Sequence, residues 1–426
     1  MSNNKSLSQR SKASVWHPFT QMKIADEPIG IVKGEGSHLF TEEGKKLIDA
    51  ISSWWTCIHG HAHPYIAAKL SAQAANLEHV MFAGFTHEPA VTLAENLLRV
   101  LPNNQAKIFY SDNGSTAVEV GLKMAFQYWK NLKQNKTKVI ALNDSYHGDT
   151  FGAMSVGSRS AFTEAFSPFL FDVEFVESPA RNAELCLQQI KALVAKGDVA
   201  AIIYEPLVQG AGGMLMYTAE TLDEILSLCQ RFEVLSIADE VMTGFYRTGS
   251  FFASNEGEYA PDIMCLSKGL TGGVMAMGVT SCTQEIYDAF LSDHFMEKTF
   301  FHGHSFTANP MACAAANASF DLLQKQEVKE AIQFINSAHL RFVEKIKNHS
   351  NILMPRVKGT ILAIDIKSDA KTNYANAVRD EINHFFLDRG ILLRPLGNTL
   401  YVLPPYCISE DDLAFIYATI LEYLDC

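Results

Sequence analysis

Positive charge is in short supply in this chain. Only 19% of its 426 residues are charged, and 35 Lys and Arg stand against 47 Asp and Glu, a formal net charge of −12. Nucleic acid and anionic membranes both require a basic footprint, and no basic run contradicts the total, so neither partner is expected. No apolar run approaches the roughly 20 residues of a membrane span. The opening MSNNKSLSQRSKAS lacks the apolar core of a secretory leader. Paired cysteines are missing as well: Cys57, Cys186, Cys229, Cys265, Cys282, Cys313, Cys407 and Cys426 show no CxxC and no framework spacing. Scattered thiols exclude a disulfide scaffold and point to a reducing compartment, the cytoplasm. Neither an internal period of about 20 to 50 residues nor a low-complexity tract is visible, which removes solenoids and propellers.

What is present is a core-forming composition. Hydrophobic residues make up 48% and aromatic ones 11%, which excludes a disordered chain, a collagen-like repeat and a coiled coil. At roughly 150 residues per domain the length allows about three, although a large α/β enzyme commonly uses two. Ile31 to Ala50 reads as a hairpin turned at Glu42-Glu43-Gly44. KIFYSDNGS (107–115), KVIALNDSYHG (138–148), AAIIYEP (200–206), LSIADEV (235–241) and DIMCLSKGL (262–270) then alternate with helical stretches such as TAVEVGLKMAFQYWK. Continuous apolar strands between helices imply an α/β fold with a mainly parallel sheet buried on both faces, and functional residues at the strands' carboxyl ends. After Asn309-Pro310 two long helical patterns precede the strand-like ILAIDI, ILLRPL and TLYVLPP. The expected division is an N-terminal segment, 1–50, contributing to the small domain and the pocket, a large domain, 51–309, and a smaller α+β domain, 310–426.

The chemistry concentrates at the ends of the apolar strands. Lys268, in Ser267-Lys268-Gly269-Leu270-Thr271-Gly272-Gly273, closes one strand and runs straight into glycines. A lysine in such a partly desolvated turn has a disfavoured ammonium and an amine available for a Schiff base; the plain alternative is a lysine capping a strand on the surface. Asp239 and Glu240 end the preceding strand, where a carboxylate requires a cationic partner. The protonated pyridine nitrogen of pyridoxal phosphate is one such partner, and a helix N-cap is the alternative for Asp239. Gly114, Ser115 and Thr116 open a helix whose apolar face runs through Val118, Leu122, Phe126 and Trp129. Free N–H groups and the positive dipole end suit a phosphate there. Tyr146, beside Gly148, can lie flat on a planar ring or belong to the core, and His147 reads as a stacking partner or a turn residue.

Other features are more open. His59, His61 and His63 alternate and would share a face if they lay on a strand, but a fourth metal ligand is not evident, and a Gly/Pro-rich loop is the preferred reading, with no metal expected. Trp54-Trp55 walls a pocket or fills a core. Arg394, emerging from an apolar strand before Pro395, suits a carboxylate clamp or a structural ion pair. Glu205 either helps select substrate or is a structural carboxylate after a strand.

Taken together, N-G-S at 113–115, Y-H-G-D at 146–149, E-P at 205–206, A-D-E-V at 238–241 and S-K-G-L-T-G-G at 267–273 resemble the class III, fold-type I aminotransferases that use pyridoxal phosphate. W-H-P-F-T-Q-M at 16–22, S-S-W-W at 52–55, F-H-G-H-S-F at 301–306 and R-P-L-G-N-T-L-Y at 394–401 narrow the resemblance to the branch that serves biotin biosynthesis. It covers nearly the whole chain, and it implies a ping-pong transfer from an amino donor to a keto acceptor. S-adenosylmethionine is the expected donor, with lysine as the alternative. A more distant alternative is a class III ω-aminotransferase for ornithine, aminobutyrate or a diamine.

By the same resemblance Lys268 carries the cofactor as a Schiff base and moves the substrate proton, Asp239 pairs with the pyridine nitrogen, and Gly114 and Ser115 bind the phosphate. Tyr146 stacks on the ring and faces the substrate. Gly303, His304 and Ser305 match a segment sent into the site by a neighbouring subunit, with Ser305 reaching the phosphate, so a homodimer is implied. Trp54 and Arg394 line the substrate channel, Arg394 holding the acceptor's distal carboxylate with Tyr401 beside it. Two departures touch the substrate pocket: Phe19 stands where many members have tyrosine, and His304 where several have proline.

Overall fold

The computed structural model describes residues 5–160, 162–367 and 378–426. Part of the expected small domain, 368–377, and the first four residues of the N-terminal segment lie outside them. Seven strands build the central sheet: β1 (Gln105–Ser111), β2 (Lys138–Leu142), β3 (Glu174–Val176), β4 (Val199–Tyr204), β5 (Leu235–Asp239), β6 (Ile263–Leu266) and β7 (Gly278–Thr283). Across the sheet they run β1-β7-β6-β5-β4-β2-β3. The pairs from β6 to β3 are parallel, while β7 is antiparallel to both of its neighbours, β6 and β1. Every residue of β4, β5 and β6 is buried. That is the pattern of strands covered by helices on both faces, and it explains their continuous apolar sequence.

The Gly114–Asn131 helix shows how sequence becomes packing. Asn113 caps it by accepting the Thr116 N–H at 3.0 Å, and the Thr116 hydroxyl answers by accepting the Asn113 N–H at 3.1 Å. Its sheet-facing stripe buries Val118, Leu122, Ala125 and Trp129, the larger of these side chains contributing roughly 1.5–3 kcal/mol each. Gly121 allows the closest approach, since a Cβ there would lie 3.2 Å from Cys265 Sγ.

Around this unit sit smaller sheets. The expected hairpin at 31–50 is a three-stranded antiparallel meander, Ile31–Glu35, His38–Thr41 and Lys46–Asp49, because Gly36-Ser37 makes a second turn ahead of Glu42-Glu43-Gly44. Gly36 takes a left-handed φ of 55° at that turn, a conformation that glycine adopts without strain. Ile391–Leu392 adds to the meander in parallel with Lys46–Asp49, so the N-terminal segment is joined to the C-terminal part of the chain. A second antiparallel sheet joins Ile352–Lys358, Ile361–Ile366 and Thr399–Val402. The Pro310–Leu323 helix packs on the turn after β6, where the Ser319 hydroxyl donates to the Gly269 carbonyl at 3.2 Å. Among the described residues no helix is long and apolar enough to cross a membrane.

Candidate active site

β5 and β6 are hydrogen-bonded neighbours with Asp239 opposite Cys265, so their ends deliver Asp239 and Lys268 to one edge of the sheet. Lys268 begins the turn after β6 with a left-handed φ of 44°, a strained conformation for a residue with a Cβ. Its Nζ lies 4.9 Å from the centre of the Trp55 ring. Among the described residues no hydrogen bond or ion pair engages that amine. Burial pushes the Lys268 pKa down, against the raising pull of the Asp239 and Glu205 charges. The neutral amine that a nucleophile or base requires is thereby favoured.

Asp239 is buried, and each of its oxygens has one partner. Oδ2 lies 2.7 Å from His147 Nδ1, and Oδ1 accepts the Val241 N–H at 3.1 Å. An ionised carboxylate only accepts, so the His147 proton sits on Nδ1. The opposite nitrogen, Nε2, is buried without a partner. His147 holds the carboxylate of Asp239 in place. Glu205, after β4, accepts the N–H groups of Tyr146 at 3.1 Å and Gly210 at 2.8 Å. Burial raises its pKa to about 7, opposed by His147. Glu240 is a structural carboxylate, tied to Thr243 and to the N–H groups of Ala253 and Ser254.

The third element is the N-terminus of the Gly114–Asn131 helix. A Cβ on Gly114 would sit 2.8 Å from Val241 Cγ1 and 3.6 Å from Ser267 Cβ. The helix start thus fits between the residues that follow Asp239 and the one that precedes Lys268. Among the described residues the N–H groups of Gly114 and Ser115 have no hydrogen-bond partner, and the Ser115 hydroxyl accepts the Asp149 N–H at 3.3 Å. Free N–H groups at a positive helix end, pressed close by the missing Cβ, form an anion cradle. Tyr146 is partly exposed over this edge, its hydroxyl donating to Asp149 Oδ2 at 2.9 Å.

Next to the lysine runs Ser52–Trp55, in which four consecutive residues take positive φ values of 50°, 44°, 70° and 74°. A left-handed turn of non-glycine residues costs roughly 1–2 kcal/mol per residue, and the surroundings must hold it. It sends Trp55 inward, where Nε1–H donates to the Tyr401 hydroxyl at 3.0 Å, and Trp54 outward, under the Arg394 guanidinium at 5.1 Å. Phe19 meets Trp54 edge-on at 5.6 Å and Phe162 at 6.0 Å, forming an aromatic wall without a hydroxyl. Tyr401 is buried, its ring edge-on to Trp55 at 6.1 Å.

Gly303 and Ser305 are exposed, and among the described residues neither these two nor His304 makes a hydrogen bond, ion pair or ring contact with Lys268, Asp239, Gly114 or Arg394 of the same chain. The loop is shaped locally, His304 N–H donating to the Thr307 hydroxyl at 3.1 Å. Of the three alternating histidines, His59 Nε2 pairs with Ser319 at 2.9 Å and His61 Nε2 with Asp49 at 2.8 Å, while the His63 ring lies edge-on to His59 at 6.2 Å. Trp55, His147 and Asp49 carry more of the site's geometry than their sequence context shows. For Asp49 the usable signal is the one that singles out Asp239, a carboxylate closing an apolar strand.

A parallel-rich sheet that presents a desolvated lysine, a buried aspartate and a helix N-terminus at one edge is the architecture of the fold-type I transaminases. The chain belongs to the class-III aminotransferase family, whose model matches residues 21–424. Family members are pyridoxal phosphate enzymes. It is 48% identical over 425 residues to the adenosylmethionine-8-amino-7-oxononanoate aminotransferase of Synechococcus elongatus, covering 97% of this chain and 99% of that one. The crystal structure of the enzyme of that name from Methanocaldococcus jannaschii superposes with a TM-score of 0.93 at 33% identity, covering 98% of each chain. An amine transaminase from a Pseudomonas species, solved in its pyridoxal phosphate-bound form, gives 0.89 at 28% identity, covering 96% of this chain and 97% of that one.

Proposed function

We propose that this aminotransferase transfers an amino group from S-adenosylmethionine to 8-amino-7-oxononanoate, giving 7,8-diaminononanoate for biotin synthesis in the cytoplasm. The substrate is read from the full-length similarity to relatives of that name. The chemistry rests on one observation: Asp239, Lys268 and the helix start at Gly114 converge at one edge of the sheet, the missing Cβ of Gly114 letting the helix pack directly against Val241 and Ser267.

The residues present fit pyridoxal phosphate. Gly114 and Ser115 would hold its phosphate, Asp239 its ring nitrogen and Lys268 its aldehyde carbon, with Tyr146 over the ring. When bound, the cofactor supplies an electron sink and carries the amino group between donor and acceptor. Lys268 Nζ, whose ammonium form burial disfavours, would take the proton from the donor carbon that bears the amino group and pass it to the cofactor's former aldehyde carbon, and would move a proton the opposite way in the second half of the cycle. Asp239 retains a free lone pair on each oxygen with which it would meet the ring nitrogen, while the His147 hydrogen bond fixes its orientation. Arg394 binds the distal carboxylate of the acceptor, and Trp54 and Phe19 cover the chain leading to it. Residues 51–309 form the cofactor-binding unit, with 310–426 and the N-terminal segment closing the pocket. Gly303, His304 and Ser305 serve the partner subunit of a homodimer, with Ser305 on the phosphate.

Incubating the enzyme with both substrates tests this reading. Mass-detected 7,8-diaminononanoate from wild type, and none from Lys268→Ala, supports it. Product from Lys268→Ala at the wild-type rate, or none from wild type, contradicts it. Lysine in place of S-adenosylmethionine identifies the donor.

A further inference from the structure

Asp49 is a fully buried carboxylate that the reaction does not use. It ends the Lys46–Asp49 strand, and its four contacts all serve the chain that follows. Oδ1 accepts the N–H groups of Ile51 at 3.2 Å and Ser53 at 2.9 Å; Oδ2 accepts the Ser53 hydroxyl at 2.8 Å and meets His61 Nε2 at 2.8 Å. Two of the N–H groups opening the left-handed turn are thus taken by one side chain. The far side of the turn is held separately, by Ser52 Oγ donating to the Leu403 carbonyl at 2.8 Å and Arg247 donating to the Trp55 carbonyl at 3.4 Å. Asp49 also stands opposite Leu392 in the parallel pairing, two residues before Arg394. One residue therefore joins both walls of the pocket: the turn that carries Trp54 and Trp55, and the strand that carries Arg394.

We propose that Asp49 is a positioning residue of the active site, holding the Ser52–Trp55 turn in its left-handed course so that Trp55 lies against Lys268 and Trp54 beneath Arg394. The inference rests on the assignment of the Trp54–Arg394 pocket to the keto acceptor given above. A left-handed run of four non-glycine residues relaxes when its anchors are removed, since each residue has a more favourable conformation to return to. His61 completes the anchor from the next loop, where its backbone is bridged to Gly36.

The test compares Asp49→Ala, Asp49→Asn and Ser53→Ala as full-length holoenzymes. Two quantities are measured: KM and kcat for the keto acceptor, and near-ultraviolet circular dichroism of the tryptophans and bound cofactor. Asp49→Ala is expected to alter the dichroism and to raise the acceptor KM by about tenfold or more, the loss of charge-assisted hydrogen bonds, with a smaller change in kcat. Asp49→Asn keeps the shape and an oxygen for the two N–H groups, so it recovers part of the loss. Ser53→Ala, which removes one hydroxyl, moves both quantities in the same direction by about threefold. If Asp49→Ala does not fold, the other two variants carry the test. Folded variants with wild-type KM and wild-type dichroism overturn the proposal. Failure of the wild-type enzyme to use the acceptor would instead overturn the substrate reading, and the dichroism would still report on the turn.

Discussion

At the scale of single residues, the site works by placing groups that oppose one another's charge in a buried edge. Burial pushes the Lys268 pKa down, while Asp239 and Glu205 pull the other way. Both Lys268 and Asp239 are legible in the sequence because each closes an apolar run, where a charged side chain has no structural reason to stand alone. The restraint on Asp239 is not legible. His147 reaches it across 92 positions of sequence, through the pairing of β5 with β4 and of β4 with β2. Replacing Asp239 by Asn keeps the shape but removes the carboxylate proposed to pair with the ring nitrogen. Cofactor binding should remain measurable while the rate falls by about 10²–10⁴-fold, read from single-turnover kinetics. An unchanged rate would remove the electron-sink role of Asp239.

At the scale of elements, β2, β4, β5 and β6 were visible as continuous apolar runs, and the Gly114–Asn131 helix as a polar start before an apolar stripe. β7 was not, since GVTSCT alternates small and polar residues and its Ser and Thr are buried by hydrogen bonds, Thr280 to the Ala117 carbonyl and Ser281 to Gln105. The left-handed Ser52–Trp55 turn is invisible in the same way, because nothing in S-S-W-W favours positive φ; the anchors come from Asp49, Leu403 and Arg247. Gly114→Ala tests the cradle. With a Cβ 2.8 Å from Val241 Cγ1, cofactor affinity measured by titration should weaken by about tenfold or more. A Kd equal to that of wild type would show that the helix does not approach so closely. His61 gives a pH signature. Burial lowers its pKa, but hydrogen bonds that it donates to Asp49 and Cys57, the two groups facing it, outweigh burial and raise the value from 6.5 to about 9. Because the folded value is the higher one, this stabilisation is complete below about pH 6.5 and disappears as pH rises through about 9. Thermal unfolding followed between those limits should show the loss in wild type and lack that component in His61→Gln.

At the scale of the whole molecule, the two ends of the chain meet at the pocket. The N-terminal meander takes its fourth strand, Ile391–Leu392, from the C-terminal part, which places Phe19, Trp54 and Arg394 together although sequence separates them widely. Such a pocket was legible only through the resemblance to a family, not through spacing. The 303–305 loop, with Gly303 and Ser305 exposed and, among the described residues, no hydrogen bond to Lys268, fits service to a second subunit. Mixing Lys268→Ala with Ser305→Asp protein tests that directly: each parent is expected to be inactive, and every mixed dimer regains one complete site. No regained activity after subunit exchange would contradict the shared site. The acidic surplus sets a demand on the proposed pocket, since a carboxylate-bearing acceptor held by Arg394 would have to be drawn in against a net charge of −12.

Amino transfer to 8-amino-7-oxononanoate through Lys268 and its cofactor is tested by following the two half-reactions by absorbance. Donor alone should convert the pyridoxal spectrum to that of the pyridoxamine form, and addition of 8-amino-7-oxononanoate should restore the first spectrum as 7,8-diaminononanoate appears. A donor-converted enzyme whose spectrum does not respond to 8-amino-7-oxononanoate would contradict the account.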